Sequence, residues 1–292
     1  MCRFTLWLAA GLLIATASLD PSSGRALGQD TSDRMTPFPA FRIAGNLYYV
    51  GSKDLASYLV TTSSGDILIN SSYQASVPLI QHSIESLGFK MSDVKILLIS
   101  HAHDDHDAGS AQIKKLTGAR YMVMDADVPV VESGVDYFYT AEKNRYPPAK
   151  VDKVLHDGDQ VRLGDAVLVA HKTPGHTKGC TTWTMKVTEK GKVYNVVIVG
   201  SWNVNPGYRL VGNTAYPAIA ADYEKTFQIL KSLPCDIFLG AHGGYFDLVQ
   251  KYDRMQKGDT LAFVDPAGYK AAVAQKEMEF RKELARQENG GK

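Results

Sequence analysis

Cysteine is scarce: the 292 residues contain three, and no two of them stand in a Cys-x-x-Cys spacing. A thiolate zinc finger or a dithiol redox motif therefore has no support. Cys180 and Cys235 read as core thiols or, in an oxidising compartment, as one optional staple. Excess charge is missing too. Lys and Arg number 32 against 31 Asp and Glu, and no basic run exceeds two residues. Such a flat balance supplies no field for nucleic acid, and none is expected as a partner. The sequence shows no internal repeat and no low-complexity block. The apolar run at residues 4 to 17 follows a single basic residue, Arg3, and is too short for a confident membrane span. Small residues at Ala15-Thr16-Ala17, and again at Ala26-Leu27-Gly28, complete the layout of a secretory signal. Residues 1–28 are thus expected to be a signal peptide, cleaved near 17 or 28, with no stable membrane association. Polar residues from 18 to 35 read as a loose N-terminal arm, and residues 36–292 as a single domain.

What is present is strand-rich sequence interleaved with helices. "FRIAGNLYYVG" and "ASYLVTTSSGDILINSS" are rich in Tyr, Val, Ile and Leu, and the Ser63-Ser64-Gly65 turn predicts a hairpin. Val77, Ile80, Ile84 and Leu87 fall at helical spacing before Gly88. "VKILLIS" is a nearly continuous apolar run, the mark of a buried strand, and it leads directly into His101. "SAQIKKLTG" predicts a helix stopped at Gly118, and "ARYMVMDADVPVV" a return to strand. Residues 137–150 read as a polar surface loop. Further strands are expected in "DQVRLGDAVLVAH", "KVYNVVIVG" and "CDIFLG", and helices in "AADYEKTFQILKSL" and from Asp265 to the end. The fold class is α/β, layered, with histidine-bearing loops at strand ends.

Those loops carry the chemistry. "SHAHDDHDAGS" places three histidines and three aspartates within residues 101–107. Zinc takes imidazole nitrogen and carboxylate oxygen, provided several ligands converge on one point. His101 and His103, two apart on an extended segment, can face one ion. A carboxylate, Asp104 or Asp105, together with His106 can face a second. Two later segments repeat the pattern of an apolar strand, a tight loop and a histidine: "HKTPGHTKGC" with His176, and "LGAHGGYF" with His242. His171 ends its strand before the turn, while His82 and His156 have the settings of surface or capping residues.

His101-x-His103-x-Asp105-His106, followed in order by His176 and His242, resembles the metallo-β-lactamase superfamily. The likeness extends over most of the chain from about residue 41. It implies a four-layer αββα sandwich and two Zn2+ ions per chain. By this resemblance His101, His103 and His176 hold one zinc, and Asp105, His106 and His242 the other. Asp105 also counts as catalytic, Asp104 takes the variable position, and Asp107 lies behind the ligands or at the surface. Asn70, where many members have aspartate, is expected either to orient a ligand histidine by accepting its ring N–H or to form the turn before Ser71-Ser72. Ser201 stands where the glyoxalase II-like, lactonase and RNA-processing branches carry a metal-bridging aspartate. That serine, "HTKGCTTWTM", "NPGYRLVGN" and "FRIAGNLYYVG" resemble subclass B3. The subclass implies zinc-dependent hydrolysis of the β-lactam amide of penicillins, cephalosporins and carbapenems, with antibiotic resistance as the outcome. It also implies a monomer in the periplasm acting on a small molecule, with Ser201 and Asn205 binding the substrate carboxylate. The competing expectation is another metallo-hydrolase of this fold, acting on a lactone or thioester.

Overall fold

The computed structural model describes Met1, residues 31–136 and residues 144–290. Apart from Met1, the expected signal peptide lies outside the described residues. In chain order the strands are β1 (Phe41–Ala44), β2 (Leu47–Tyr49), β3 (Tyr58–Thr62), β4 (Gly65–Ile69), β5 (Val94–Leu98), β6 (Arg120–Met124) and β7 (Val135–Asp136). There follow β8 (Asn144–Arg145), β9 (Lys153–Leu155), β10 (Gln160–Leu163), β11 (Ala166–Lys172), β12 (Thr181–Glu189), β13 (Lys192–Val199) and β14 (Ile237–Gly240). The helices are α1 (Val77–Ser86), α2 (Asp104–Asp107), α3 (Ser110–Thr117), α4 (Val128–Ser133), α5 (Ile219–Ser232), α6 (Leu248–Gln256) and α7 (Pro266–Glu288).

Seven strands form one sheet in the order β1-β2-β3-β4-β5-β6-β9, and five form another in the order β10-β11-β12-β13-β14. The period-2 alternation of strand side chains sorts the core into layers. Ile67, Ile69, Ile96 and Leu98 join a core with Leu168, Ala170, Trp183 and Met185 of the second sheet. Leu68 and Leu97, one residue out of phase, pack instead with Val77, Ile80 and Ile84 of α1, Ile113 of α3 and Val130 of α4. Outside the second sheet Ile219, Tyr223 and Phe227 of α5 meet Phe280 of α7. Helix, sheet, sheet, helix is the four-layer α/β sandwich expected from the sequence. β4, β5, β6 and β9 are mutually parallel, so their carboxyl ends open on one rim, where loops can converge.

The β3–β4 hairpin closes with Thr62 opposite Gly65. α3 stops where Gly118 takes φ 70°. Elsewhere the structure departs from the sequence reading. "ARYMVMDADVPVV" stays extended only to Met124: a 3-10 turn follows at Asp125–Asp127, and α4 begins at Val128 with Pro129 in its first turn; proline lacks an N–H and suits a first helical turn. β12, the long central strand of the second sheet, and α6 were not foreseen. The arm is not loose over residues 31–35. Thr31–Arg34 is a 3-10 turn, Ser52 Oγ donates to the Arg34 carbonyl at 2.6 Å, and Lys53 N donates to the Thr36 carbonyl at 2.9 Å. A segment whose backbone acceptors are met in this way is docked. Cys180 and Cys235 are free thiols, so the optional staple is not made.

Candidate metal centre

Three strand exits bring the ligands together. Beyond β5, Ser100 N donates to Asn70 Oδ1 at 2.7 Å, and the Ser100 carbonyl accepts from Thr181 N at 2.7 Å. The strand end is thereby pinned immediately before His101. His103 then leads into α2, one turn long, which carries Asp105 and His106. Beyond β11 the chain turns at Pro174-Gly175 to present His176. Gly175 has φ 126°, and a Cβ there would lie 2.7 Å from Tyr223 Cγ; only glycine meets both demands. Beyond β14, His242 pairs with Leu55 in a single antiparallel bridge.

All six expected ligands meet in two adjoining trios. The donor atoms of His101, His103 and His176 lie within 4.8 Å of one another. His106 Nε2 is 3.2 Å from His242 Nε2 and 3.5 Å from Asp105 Oδ1, and His242 Nε2 is 4.0 Å from Asp105 Oδ2. The His101 and His106 rings, 4.3 Å between centroids, join the trios. Asp104 stays outside this set, as expected.

The donor chemistry fits metal. Both ring nitrogens of His101 and Nδ1 of His106 are buried without a hydrogen bond. Each such atom costs roughly 1–3 kcal/mol when left unsatisfied, and a metal ion would remove that cost where it binds. Other rings are anchored through one nitrogen, which fixes the tautomer and turns the other toward a ligand. His176 Nδ1 donates to the Asn203 carbonyl at 2.8 Å. His242 Nδ1 lies 3.1 Å from Asp54 Oδ2, and His103 Nε2 lies 3.4 Å from Asp136 Oδ2. Charge states at His101, His106 and Asp105 agree with this reading. Burial, reinforced by the neighbouring rings, holds His101 well below the usual imidazole range. Burial also takes His106 down to about 3 against the opposing pull of Asp105. Burial would raise Asp105, but the summed field of His106, His242, His103 and Arg34 outweighs it and holds the carboxyl well below its usual range. Neutral imidazoles at His101 and His106 and an ionised Asp105 are what metal binding requires; His103 runs the other way, because against its burial Asp136 and Asp105 raise it.

One expectation needs correction. Asn70 does not accept a ligand's ring N–H. Its amide spans Ser100 N and the Ala56 carbonyl, and Asn70 itself sits at φ 66°. A short side chain on a left-handed residue reaches nearby backbone, so Asn70 orders the strand exit and not the ring. Of the two places expected for Asp107, it takes the one behind the ligands: it is buried, accepts from Ser110 Oγ at 2.6 Å and from the Tyr121 hydroxyl, and burial raises it to about 7. Ser201 is buried and shares a 3.0 Å hydrogen bond with the Tyr245 hydroxyl. Asn205, half-buried, accepts from Tyr208 N through its carbonyl at 3.0 Å. His171 bonds Thr184 on the adjacent strand at 2.8 Å, and His82 and His156 are exposed.

Several contributors carried no sequence signal. Asp54 and Asp136 each stand beside a ligand ring but far from it in sequence. Asp127 accepts from Ala102 N, Thr177 Oγ1 and Gly179 N at 3.0, 2.8 and 2.8 Å, tying the His101–His103 loop to the His176 loop. Tyr208 places its hydroxyl 3.4 Å from His103 Nε2 while donating to the His176 carbonyl at 3.0 Å. Arg34 Nη1 reaches Asp105 Oδ2 at 3.1 Å.

A family model described as the metallo-beta-lactamase superfamily matches residues 55–242, a span holding all six candidate ligands. The chain belongs to the metallo-beta-lactamase superfamily. Among solved structures, this superfamily member is similar to the native FEZ-1 metallo-beta-lactamase of Legionella gormanii, with 57% identity over 87% of this chain and 98% of that one, at TM-score 0.85. BJP-1, a subclass B3 metallo-beta-lactamase of Bradyrhizobium japonicum, is 35% identical over 90% and 99% of the two chains, at TM-score 0.84. Curated relatives match over less. A hydroxyacylglutathione hydrolase of Fuscovulum blasticum is 31% identical over 97 residues, 33% of this chain and 30% of that protein. The chain therefore spans under a third of that relative's length. Neighbours of subclass B3 agree with the resemblance seen in the sequence, and a metal-binding hydrolase of this superfamily is the reading that fold and site share.

Proposed function

We propose that the chain is a zinc β-lactamase of the subclass B3 kind, hydrolysing the amide bond of penicillins, cephalosporins and carbapenems and so conferring resistance. The observation that carries this reading is the pair of adjoining trios in a fold aligned over 98% of a metallo-beta-lactamase at 57% identity. His101, His103 and His176 would hold one zinc, and Asp105, His106 and His242 a second. Such an ion pair supplies Lewis acidity and a water acidified to a pKa of about 7. The chain's own groups do the rest. Asp105, kept ionised, accepts a hydrogen bond from the attacking water. Asp54, Asp136 and the Asn203 carbonyl keep the ligand rings in one tautomer and orientation. Ser201 can accept from Tyr245 and still donate its proton to a substrate carboxylate, with Asn205 alongside. Export to the periplasm, as a monomer, belongs to the same proposal. Among the described residues no helix is long and apolar enough to cross a membrane.

The hydroxyacylglutathione hydrolase relatives prompt the competing reading, another metallo-hydrolase acting on a lactone or thioester, which is not favoured. Against it stand the short span of those matches and Ser201, a poor metal bridge compared with a carboxylate. One comparison tests the first reading. His242→Ala should cut β-lactam turnover by about 100-fold or more, since it removes a ligand. His156→Ala, exposed and outside the trios, should leave turnover within about twofold of the parent. Equal effects of the two substitutions would refute the assignment.

A further inference from the structure

Arg34 is the one cation in direct contact with the ligand trio of Asp105, His106 and His242 among the described residues. Its guanidinium lies 3.1 Å from Asp105 Oδ2 and 3.1 Å from the Tyr73 hydroxyl, with Nε 3.9 Å from Asp54 Oδ2. It thus touches both carboxylates of this half of the site: the ligand Asp105, and Asp54, which anchors His242. The arm does not rest there by chance. Ser52 Oγ holds the Arg34 carbonyl at 2.6 Å, Lys53 Nζ pairs with Asp33 at 3.0 Å, and Pro37 bridges to Ser52. Those clamps come from the residues flanking Asp54, so Arg34 and Asp54 are presented by one docked unit. The guanidinium side chain is only 25% exposed, and water screens its charge weakly there.

We propose that Arg34 is a positioning residue and built-in counter-charge of the second metal site, lowering that site's affinity for a divalent cation. The proposal rests on the two-metal reading given above. With neutral imidazoles, the local formal charge is that of Asp105 and Asp54, offset by Arg34. A dication arriving at Asp105, His106 and His242 meets a net charge of about −1 in place of the −2 that the carboxylates alone would present. Arg34 also holds Oδ2 of Asp105, leaving Oδ1 toward His106. The arm therefore orients the carboxylate and weakens it as a donor in the same contact. The first site, built from His101, His103 and His176, has no contact with Arg34 and should not respond.

Zinc titration of the metal-free full chain against a chromophoric chelator, at pH 7.5 and 0.15 M salt, tests this without recourse to activity. Arg34→Gln, which keeps a hydrogen-bond donor but loses the charge, should tighten the second equivalent about tenfold and leave the first unchanged. Arg34→Lys, which keeps the charge, should stay within about threefold of the parent. Lys53→Ala, which loosens the arm without touching Asp105, should shift the second equivalent in the same direction by a smaller factor. Two equivalents in every protein, with the second unchanged or weaker in Arg34→Gln, would overturn the proposal and leave the two-metal reading intact. One equivalent in the parent and two in Arg34→Gln would support it. One equivalent throughout would overturn both.

Discussion

Asp127→Ala should uncouple the two loops that supply the first trio of histidines. The Asp127 carboxylate accepts from two backbone N–H groups, Ala102 at 3.0 Å and Gly179 at 2.8 Å, and from the Thr177 hydroxyl at 2.8 Å. Hydrogen bonds to a charged acceptor contribute about 1.5–3 kcal/mol each, and an abandoned buried N–H costs about 1–3 kcal/mol. The three share one acceptor and do not add, so alanine should destabilise the metal-free protein by about 3–5 kcal/mol. That is a large part of the roughly 5–15 kcal/mol typical of a domain. Burial pushes Asp127 up to about 6 despite the pull of Thr177, Gly179 and Ala102. Asp127→Asn keeps one acceptor oxygen but turns its NH2 toward a buried N–H, so it should cost about 1–3 kcal/mol, less than alanine. Urea unfolding of the metal-free protein at pH 7.5 measures both, and zinc affinity at the first trio should fall with them. Alanine within 1 kcal/mol of the parent, or asparagine as damaging as alanine, would refute the reasoning.

Asp54→Ala removes the acceptor 3.1 Å from His242 Nδ1; zinc titration should show the second site weakened about 10–100-fold and the first unchanged. Asp66 supplies a pH test away from the metal. Burial raises it to about 6, so the folded state holds its proton more tightly than the unfolded chain, whose carboxyl titrates near 3.9. Its contribution is therefore favourable below about pH 4 and is lost as pH rises through 6. Asp66→Asn, which mimics the protonated acid, should gain about 1–2 kcal/mol at pH 8 and almost nothing at pH 4, as read by denaturant unfolding at the two values.

The meeting of the candidate ligands was legible because each lies at or just beyond a strand exit, where a short apolar run, a tight turn and a histidine occur together in the text. Geometry then followed from topology: parallel strands open on one rim, and β11 and β14 end beside it. The groups that hold the ligands were not legible. Asp54 lies 188 residues from His242 in sequence and Arg34 lies 71 from Asp105, and nothing local marks an aspartate or arginine as the partner of a distant group. Asn70 was misassigned for a related reason. Its place at a strand end suggested a part in the site, but its left-handed backbone turns the amide toward Ser100 N and Ala56. The end of the arm misled through composition: residues 31–35 look loose until Ser52 is seen to meet the Arg34 carbonyl, with Lys53 on Thr36 just beyond. Pro129 was visible, yet it reads as a strand breaker or a helix starter with equal ease, and only packing against the first sheet decides.

Carbapenem hydrolysis by the purified mature chain, with zinc and again after removal of metal by a chelator, tests the central claim most directly. The account predicts turnover with zinc, none after chelation, and recovery when zinc is restored. A protein that binds zinc at both trios yet leaves carbapenems, penicillins and cephalosporins intact while cleaving a hydroxyacyl thioester would contradict it.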